Sequence, residues 1–260
     1  MDRLHLEARD VRLEVSPADG GRISSLRIGG RELLLTEGFG PIAWGCYPMA
    51  PFAGRVREGR FTFGGRSWQL PINWPPHAIH GFVFDRPWRV VDGRTLAIDL
   101  ATEWPFRGTV EQRFDLADDG LVATMELAAD EPMPATLGWH PWFRRRLDLD
   151  APPVELRFEA ESMYVRDAAG IPTGELVAPG PRPWDDCFTG VRGDPMLTWP
   201  GALELVIASS CDHWVVYDEP ADAVCVEPQT GPPDALNLGP TVVGPGRSLV
   251  ATMEWRWRTL

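Results

Sequence analysis

Two stretches of this chain alternate apolar and polar residues with a period of two, and that period admits one kind of element. In LVATMELA, Leu121, Ala123, Met125 and Leu127 alternate with more polar neighbours. In SLVATMEWRWR, Leu249, Ala251, Met253, Trp255 and Trp257 share one face, while Thr252, Glu254, Arg256 and Arg258 share the other. Successive strand side chains point to opposite faces, so the pattern marks strands with one buried side. No segment carries a capped apolar stripe at i, i+3, i+4, i+7. Turn signals fall between the runs. Gly64-Gly65 separates RFTF from RSWQL, and Asp92-Gly93 separates WRVV from RTLAIDL. Both read as two-residue hairpin linkers that tolerate positive φ. Gly29-Gly30 and Asp118-Asp119-Gly120 read as similar breaks. The 26 glycines and 26 prolines suit many short strands joined by shaped loops. The Pro-rich stretch from Pro172 to Pro183 runs into Trp184 and holds apolar residues, so it reads as an ordered loop. The expectation is an all-β fold, a large antiparallel β-sandwich forming a single domain over residues 1–260.

Charge and composition exclude several functions. The net charge of −12 argues against nucleic-acid and anionic-membrane partners and favours a small ligand. The chain has no lysine, so Schiff-base, pyridoxal-phosphate and P-loop lysine chemistry are excluded. Cys46, Cys187, Cys211 and Cys225 form no C-x-x-C pair, and their spacing suggests neither a zinc site nor a disulfide framework. The opening residues MDRLHLEARDVRLEV hold charges throughout and no apolar h-region, and no run approaches a membrane span. A reduced, cytoplasmic protein, a monomer or homodimer, is expected.

Only five histidines are present. His80 ends HAIHG before Gly81, where backbone can approach a ligand closely. It reads as a binding residue or as a loop histidine with a structural hydrogen bond, and so does His77. His140 lies in LGWHPWF between Trp139 and Trp142. It reads as a general acid held against aromatic faces or as a satisfied core residue. Glu227 ends the apolar run AVCV, as a general base at a strand terminus or as a solvated edge charge. As a base it is expected to be ionised at neutral pH. Gln229 shares its face only if the strand continues past Pro228, which proline disfavours. Arg55 in APFAGRVREGRF offers fixed donors for hydroxyls or an ion pair with Glu58. Asp185 and Asp186 stand between Trp184 and Phe188, to accept hydroxyls or to cap a turn. Polar groups beside aromatic platforms are the composition of carbohydrate sites.

The segments PFAGRVREGRF, HAIHGF, GWHPWF, the D-x-x-F of DDCF and VEPQTGPPDALN occur in this order from Pro51 to Asn237. Together they resemble the aldose 1-epimerases, also called galactose mutarotases, and within them a shorter bacterial epimerase-like subgroup. The resemblance implies a β-sandwich with its site in a cleft on one sheet. It implies Glu227 as general base and His140 as general acid, with Arg55, His80 and Asp185 binding substrate. Asp185 fits better than Asp186 because it stands three residues before Phe188. Gln229 and His77 complete the candidate binding residues. The expected reaction interconverts the α and β anomers of a free aldohexose with no cofactor and no metal. It opens and closes the ring by acid–base catalysis, which implies a bell-shaped pH dependence. The alternatives are a hexose-6-phosphate 1-epimerase, a non-catalytic carbohydrate-binding protein, and a glycoside hydrolase using Glu227 and Asp185. The phosphate-specific branch typically has an arginine two residues after the phenylalanine of HGF. Phe84 stands there instead, and the nearest arginine is Arg86.

Overall fold

A computed structural model describes residues 3–100 and 103–260. Among the described residues, every pairing between strands is antiparallel, and two large sheets dominate. The smaller, eight-stranded sheet centres on the two alternating segments. Gly120–Ala129 lies between Gly108–Leu116 and Leu249–Thr259. The expected inward residues Leu121, Ala123, Met125, Leu127, Ala251, Met253, Trp255 and Trp257 are buried, and Leu249 is partly buried. The larger sheet has twelve strands among the described residues. Its centre runs from Cys46–Met49 through Gly138–Pro141, Ala223–Gln229, His213–Tyr217 and Asp185–Val191 to Ala160–Arg166.

One apolar cluster joins the sheets. Phe143 of the larger sheet meets Trp255 of the smaller with ring centroids 5.1 Å apart. Trp139 sends its indole N–H to Gln112 Oε1 at 3.1 Å, and Gln112 Nε2 donates to the Gly21 carbonyl at 3.1 Å. The buried amide and indole are thus satisfied between the layers. Each fully buried large apolar side chain contributes about 1.5–3 kcal/mol through removal from water.

Alternation along the central strands then places the site. Cys46, Trp139 and Val226 face the inter-sheet core. Their neighbours Tyr47, His140 and Glu227 therefore face the opposite side, where a cleft lies.

The structure corrects three local expectations. The turn after WRVV is Gly93-Arg94, because Asp92 pairs with Thr95. Asp92 Oδ1 accepts the Arg94 amide at 2.9 Å, and a register shift between Val90 and Asp92 moves the turn one residue on. The stretch from Pro172 is not wholly loop: Pro172–Val177 pairs as the outer strand of the larger sheet, with proline at its first position. Pro228 does not end its strand. It sits opposite Trp214, and pairing continues to His213 and Gln229. On the other side, the ladder to Gly138–Pro141 is confined to Gly138 and Gln229, which limits what the missing N–H costs. No helix among the described residues is long and apolar enough to cross a membrane.

Candidate active site

The site is built from cross-strand rows of the larger sheet. Gly138 pairs with Gln229, and Phe143 with Val224. The same register brings His140 opposite Glu227. On its other side His140 pairs with Tyr47. Glu227 pairs with Val215, and Val215 with Cys187. Cys187, Val215, Glu227, His140 and Tyr47 thus form one row, and all five line the cleft. The next row contains Asp185, Tyr217 and Cys225. Strand spacing of about 4.8 Å brings side chains in a row into contact.

His140 Nε2 lies 3.3 Å from Glu227 Oε1, with both side chains almost wholly buried. Gln229 donates from Nε2 to the other Glu227 oxygen at 3.3 Å, so the face shared by positions 227 and 229 is real. Tyr47 stacks with His140 at 4.8 Å and Trp142 at 5.2 Å. His80 meets His140 edge-on at 5.2 Å. Its amide donates to the Gly54 carbonyl at 2.9 Å, and its own φ is +58. Arg55 pairs with Ile79, and its carbonyl accepts the Asp234 amide at 2.6 Å. The tail of VEPQTGPPDALN therefore positions the arginine of GRVREGRF. Arg55 does not pair with Glu58, which pairs with Arg60 at 3.3 Å. Its guanidinium reaches Asp185 Oδ2 at 3.9 Å, and Arg166 reaches the same oxygen at 3.1 Å. Arg166 also holds Asp186 at 2.8 Å.

Burial sets the protonation of the pair. It raises the Glu227 carboxyl well above 4.5; the charge of Asp185 adds to this, and Gln229 and Arg55 oppose it. Burial also lowers His140 to about 3, with help from the charge of Arg22. The neutral pair, carboxylic acid and imidazole, is therefore favoured over carboxylate and imidazolium. This runs against the expectation of an ionised Glu227, because removal from water favours the uncharged carboxyl. His80 is also lowered, by burial first and then by His140 and Arg55, so it too is neutral. Burial raises Asp185, against Arg55 and Arg166.

The cleft encloses about 290 Å³. Several polar atoms of its lining residues are buried without a hydrogen-bond partner: Tyr47 Oη, His80 Nδ1, His140 Nδ1, Trp142 Nε1 and Gln229 Oε1. Orphaned polar atoms gathered at one cleft suit a polyhydroxylated ligand. Of the candidate residues, His140, Glu227, Gln229, Arg55, His80 and Asp185 all line it. His77 does not. Its Nδ1 accepts the Glu58 amide at 3.0 Å, a structural bond within the loop. Sequence reasoning missed Tyr47 and Arg166, whose places depend on strands far away in the chain. Beneath Tyr47, the fully buried Arg22 donates to the carbonyls of Asp19, Pro41, Trp44 and Phe84 and so fixes the wall behind His140. Among the described residues, one group has metal-ligand chemistry: His140, Cys225 and Glu227, with ligand atoms within 4.8 Å of one another.

Comparison with known proteins places the chain in a family. Residues 3–190 match the family described as aldose 1-epimerase. The uncharacterized protein YphB of Escherichia coli (strain K12) is 27% identical over 247 residues, covering 81% of this chain and 83% of that protein. A galactose mutarotase-like protein from Clostridium acetobutylicum superposes with a TM-score of 0.86 at 17% identity, over 98% of this chain and 95% of that one. Galactose 1-epimerase from Lactobacillus acidophilus superposes with a TM-score of 0.82 at 17% identity, over 98% and 93%. At such identities the superpositions speak for the fold, while the family match rests on the sequence itself. The chain belongs to the aldose 1-epimerase family.

Proposed function

We propose that this chain is an active isomerase that interconverts the α and β anomers of a free aldohexose. The observation that carries the reading is the 3.3 Å approach of His140 Nε2 to Glu227 Oε1 in a cleft of monosaccharide size. Anomer exchange needs one proton removed from the anomeric hydroxyl and one delivered to the ring oxygen. Both oxygens are bonded to C1, so the base and the acid must converge within a few ångströms. A carboxylate and an imidazole on facing positions of neighbouring strands meet that demand.

In this mechanism Glu227 takes the proton of the anomeric hydroxyl, and His140 gives a proton to the ring oxygen. The C1–O5 bond breaks and an open-chain aldehyde forms. Rotation about C1–C2 presents the other carbonyl face, and the residues exchange roles as the ring closes. The pair holds one proton throughout. Burial rests it on Glu227; the working form moves it to His140 as sugar hydroxyls supply the polar partners that burial removed. Positioned acid–base groups contribute about 10²–10⁴-fold, enough for a reaction that already proceeds slowly in water.

The binding roles follow from the same rows. Both guanidiniums engage Asp185 Oδ2, which suits Oδ1 to accept sugar hydroxyls. Trp142 offers a partly exposed indole, and Tyr47 an unpartnered hydroxyl. Arg86 is held by Glu103 at 2.5 Å and does not line the cleft, which favours an unphosphorylated sugar.

The test is NMR saturation exchange between α and β anomers, with a panel of free aldohexoses beside their 6-phosphates. Enhanced exchange with a free sugar supports the reading and names the substrate. Binding without exchange above the buffer rate would move the chain to the non-catalytic carbohydrate-binding class.

A further inference from the structure

Cys225 stands two residues before Glu227 on Ala223–Gln229, so alternation puts both side chains on the cleft face. The proposed reaction uses Glu227 and His140 and leaves Cys225 without a task. Yet His140 Nε2 or Nδ1, Cys225 Sγ and a Glu227 oxygen lie within 4.8 Å of one another, all three residues buried. Imidazole, thiolate and carboxylate are the donor types of three-ligand zinc centres, which keep a fourth position open to a ligand. With bonds of about 2.0–2.3 Å, tetrahedral donors stand roughly 3.3–3.6 Å apart. His140 Nε2 and Glu227 Oε1 already stand at that spacing, 3.3 Å apart. One further observation favours a ligand here. Gln229 holds Glu227 Oε2 from outside the group, as hydrogen-bond donors commonly hold metal-binding carboxylates, while Oε1 faces His140.

We infer that His140, Cys225 and Glu227 form a binding site for a thiophilic divalent cation of the zinc type, and that the bound cation switches the epimerase off by occupying its acid–base pair. Binding exchanges two protons, that of the thiol and that shared by Glu227 and His140, for one dication. The buried site is neutral before and after, so no net charge is transferred into it. The inhibition rests on the proposed function; the binding does not.

The experiment uses the full chain after chelator treatment, with Co²⁺ as the spectroscopic probe. A near-ultraviolet thiolate-to-cobalt band is expected in the wild type and in Cys187→Ser, and its loss is expected in Cys225→Ser. Cys225→Ala serves as a second variant. Zn²⁺ should displace Co²⁺ and should suppress anomer exchange, reversibly by chelator. Cys225→Ser should keep its basal exchange rate but need at least ~10–100-fold more Zn²⁺, the cost of losing even a group that only orients a metal ligand. A folded wild type with no thiolate–cobalt band overturns the site, as does a band that survives both Cys225 variants. A band without exchange of any sugar upholds the site and overturns the epimerase reading and the switch. Equal Zn²⁺ sensitivity in wild type and Cys225→Ser overturns the switch.

Discussion

His140 Nε2 and Glu227 Oε1 stand 3.3 Å apart because strand register, and not chain proximity, brings them opposite each other. An acid and a base on two rigid strands keep their spacing without a loop having to close. Replacing Glu227 with Gln preserves shape and volume and removes the proton acceptor. Anomer exchange should fall by about 10²–10⁴-fold. Sugar binding, followed by ligand-observed NMR, should persist. An exchange rate near that of the wild type would overturn the assignment.

The pH profile follows from the direction of the two shifts. The pair works while it holds one proton. It gains a second only when the pH falls toward His140's lowered value of about 3. It loses its last only when the pH passes Glu227's value, which is raised well above 4.5. The plateau of kcat/KM, measured on chelator-treated protein, should therefore be wider than the gap between an ordinary glutamate and an ordinary histidine. The bell expected from the sequence is retained but broadened. A narrow bell with limbs at the ordinary values would show that the pair is not desolvated.

The same burial costs stability. In the fold Glu227 keeps its proton to a pH well above 4.5, whereas the unfolded chain releases it near 4.5. Between those values the folded state binds more protons, so stability falls as pH rises. His140 acts in the opposite sense: the unfolded chain takes up a proton near 6.5 and the folded one only near 3, so stability falls as pH drops between them. Glu227→Gln removes the first dependence and leaves the second. Its Tm advantage over the wild type should grow as pH rises above 4.5 and then level off. Thermal unfolding across this range checks it; a difference independent of pH counts against a desolvated carboxyl.

The sandwich was legible because period two is a direct imprint of a strand with one wet face. Leu121, Ala123, Met125 and Leu127 alternate in the sequence and are buried in the structure. Most of the site was legible through motif resemblance: Arg55, His80, His140, Asp185, Glu227 and Gln229 converge on one cleft. Tyr47 was not, since a tyrosine in CYPM reads as core until its pairing with His140 is known. Arg166 was hidden for the same reason, its partner Asp185 lying on a neighbouring strand. His77 failed because nearness to His80 in sequence says nothing about which way a loop side chain turns.

Arg166 shares Asp185 Oδ2 with Arg55 and makes the shorter contact, 3.1 Å against 3.9 Å. If Asp185 binds sugar hydroxyls, Arg166 fixes the direction of its free oxygen without touching the reacting atoms. Arg166→Met should raise KM by about tenfold, the value of one charge-assisted hydrogen bond, with little change in kcat. Arg166→Lys should recover part of the loss. A fall in kcat at constant KM would place Arg166 with the chemistry instead.

Gly81 shows how tightly the backbone beside His80 is specified. Its φ is +74, and a Cβ there would lie 1.8 Å from the Ala50 carbonyl oxygen, a backbone atom of the adjoining segment. That carbonyl also accepts the Phe82 amide at 3.0 Å. An added methyl must push the two segments apart and carry His80 out of the cleft. Gly64 is the matched control, with φ +59 and nothing within 4 Å of its Cβ position. Gly64→Ala should cost about 1–2 kcal/mol, the strain of a left-handed residue alone. Gly81→Ala carries the same strain and the clash, so it should cost more, toward or beyond the ~3 kcal/mol upper end of ordinary single substitutions, and should abolish anomer exchange. Denaturant unfolding of the two variants separates the contributions, and equal losses would mean that the contact at Ala50 relaxes freely.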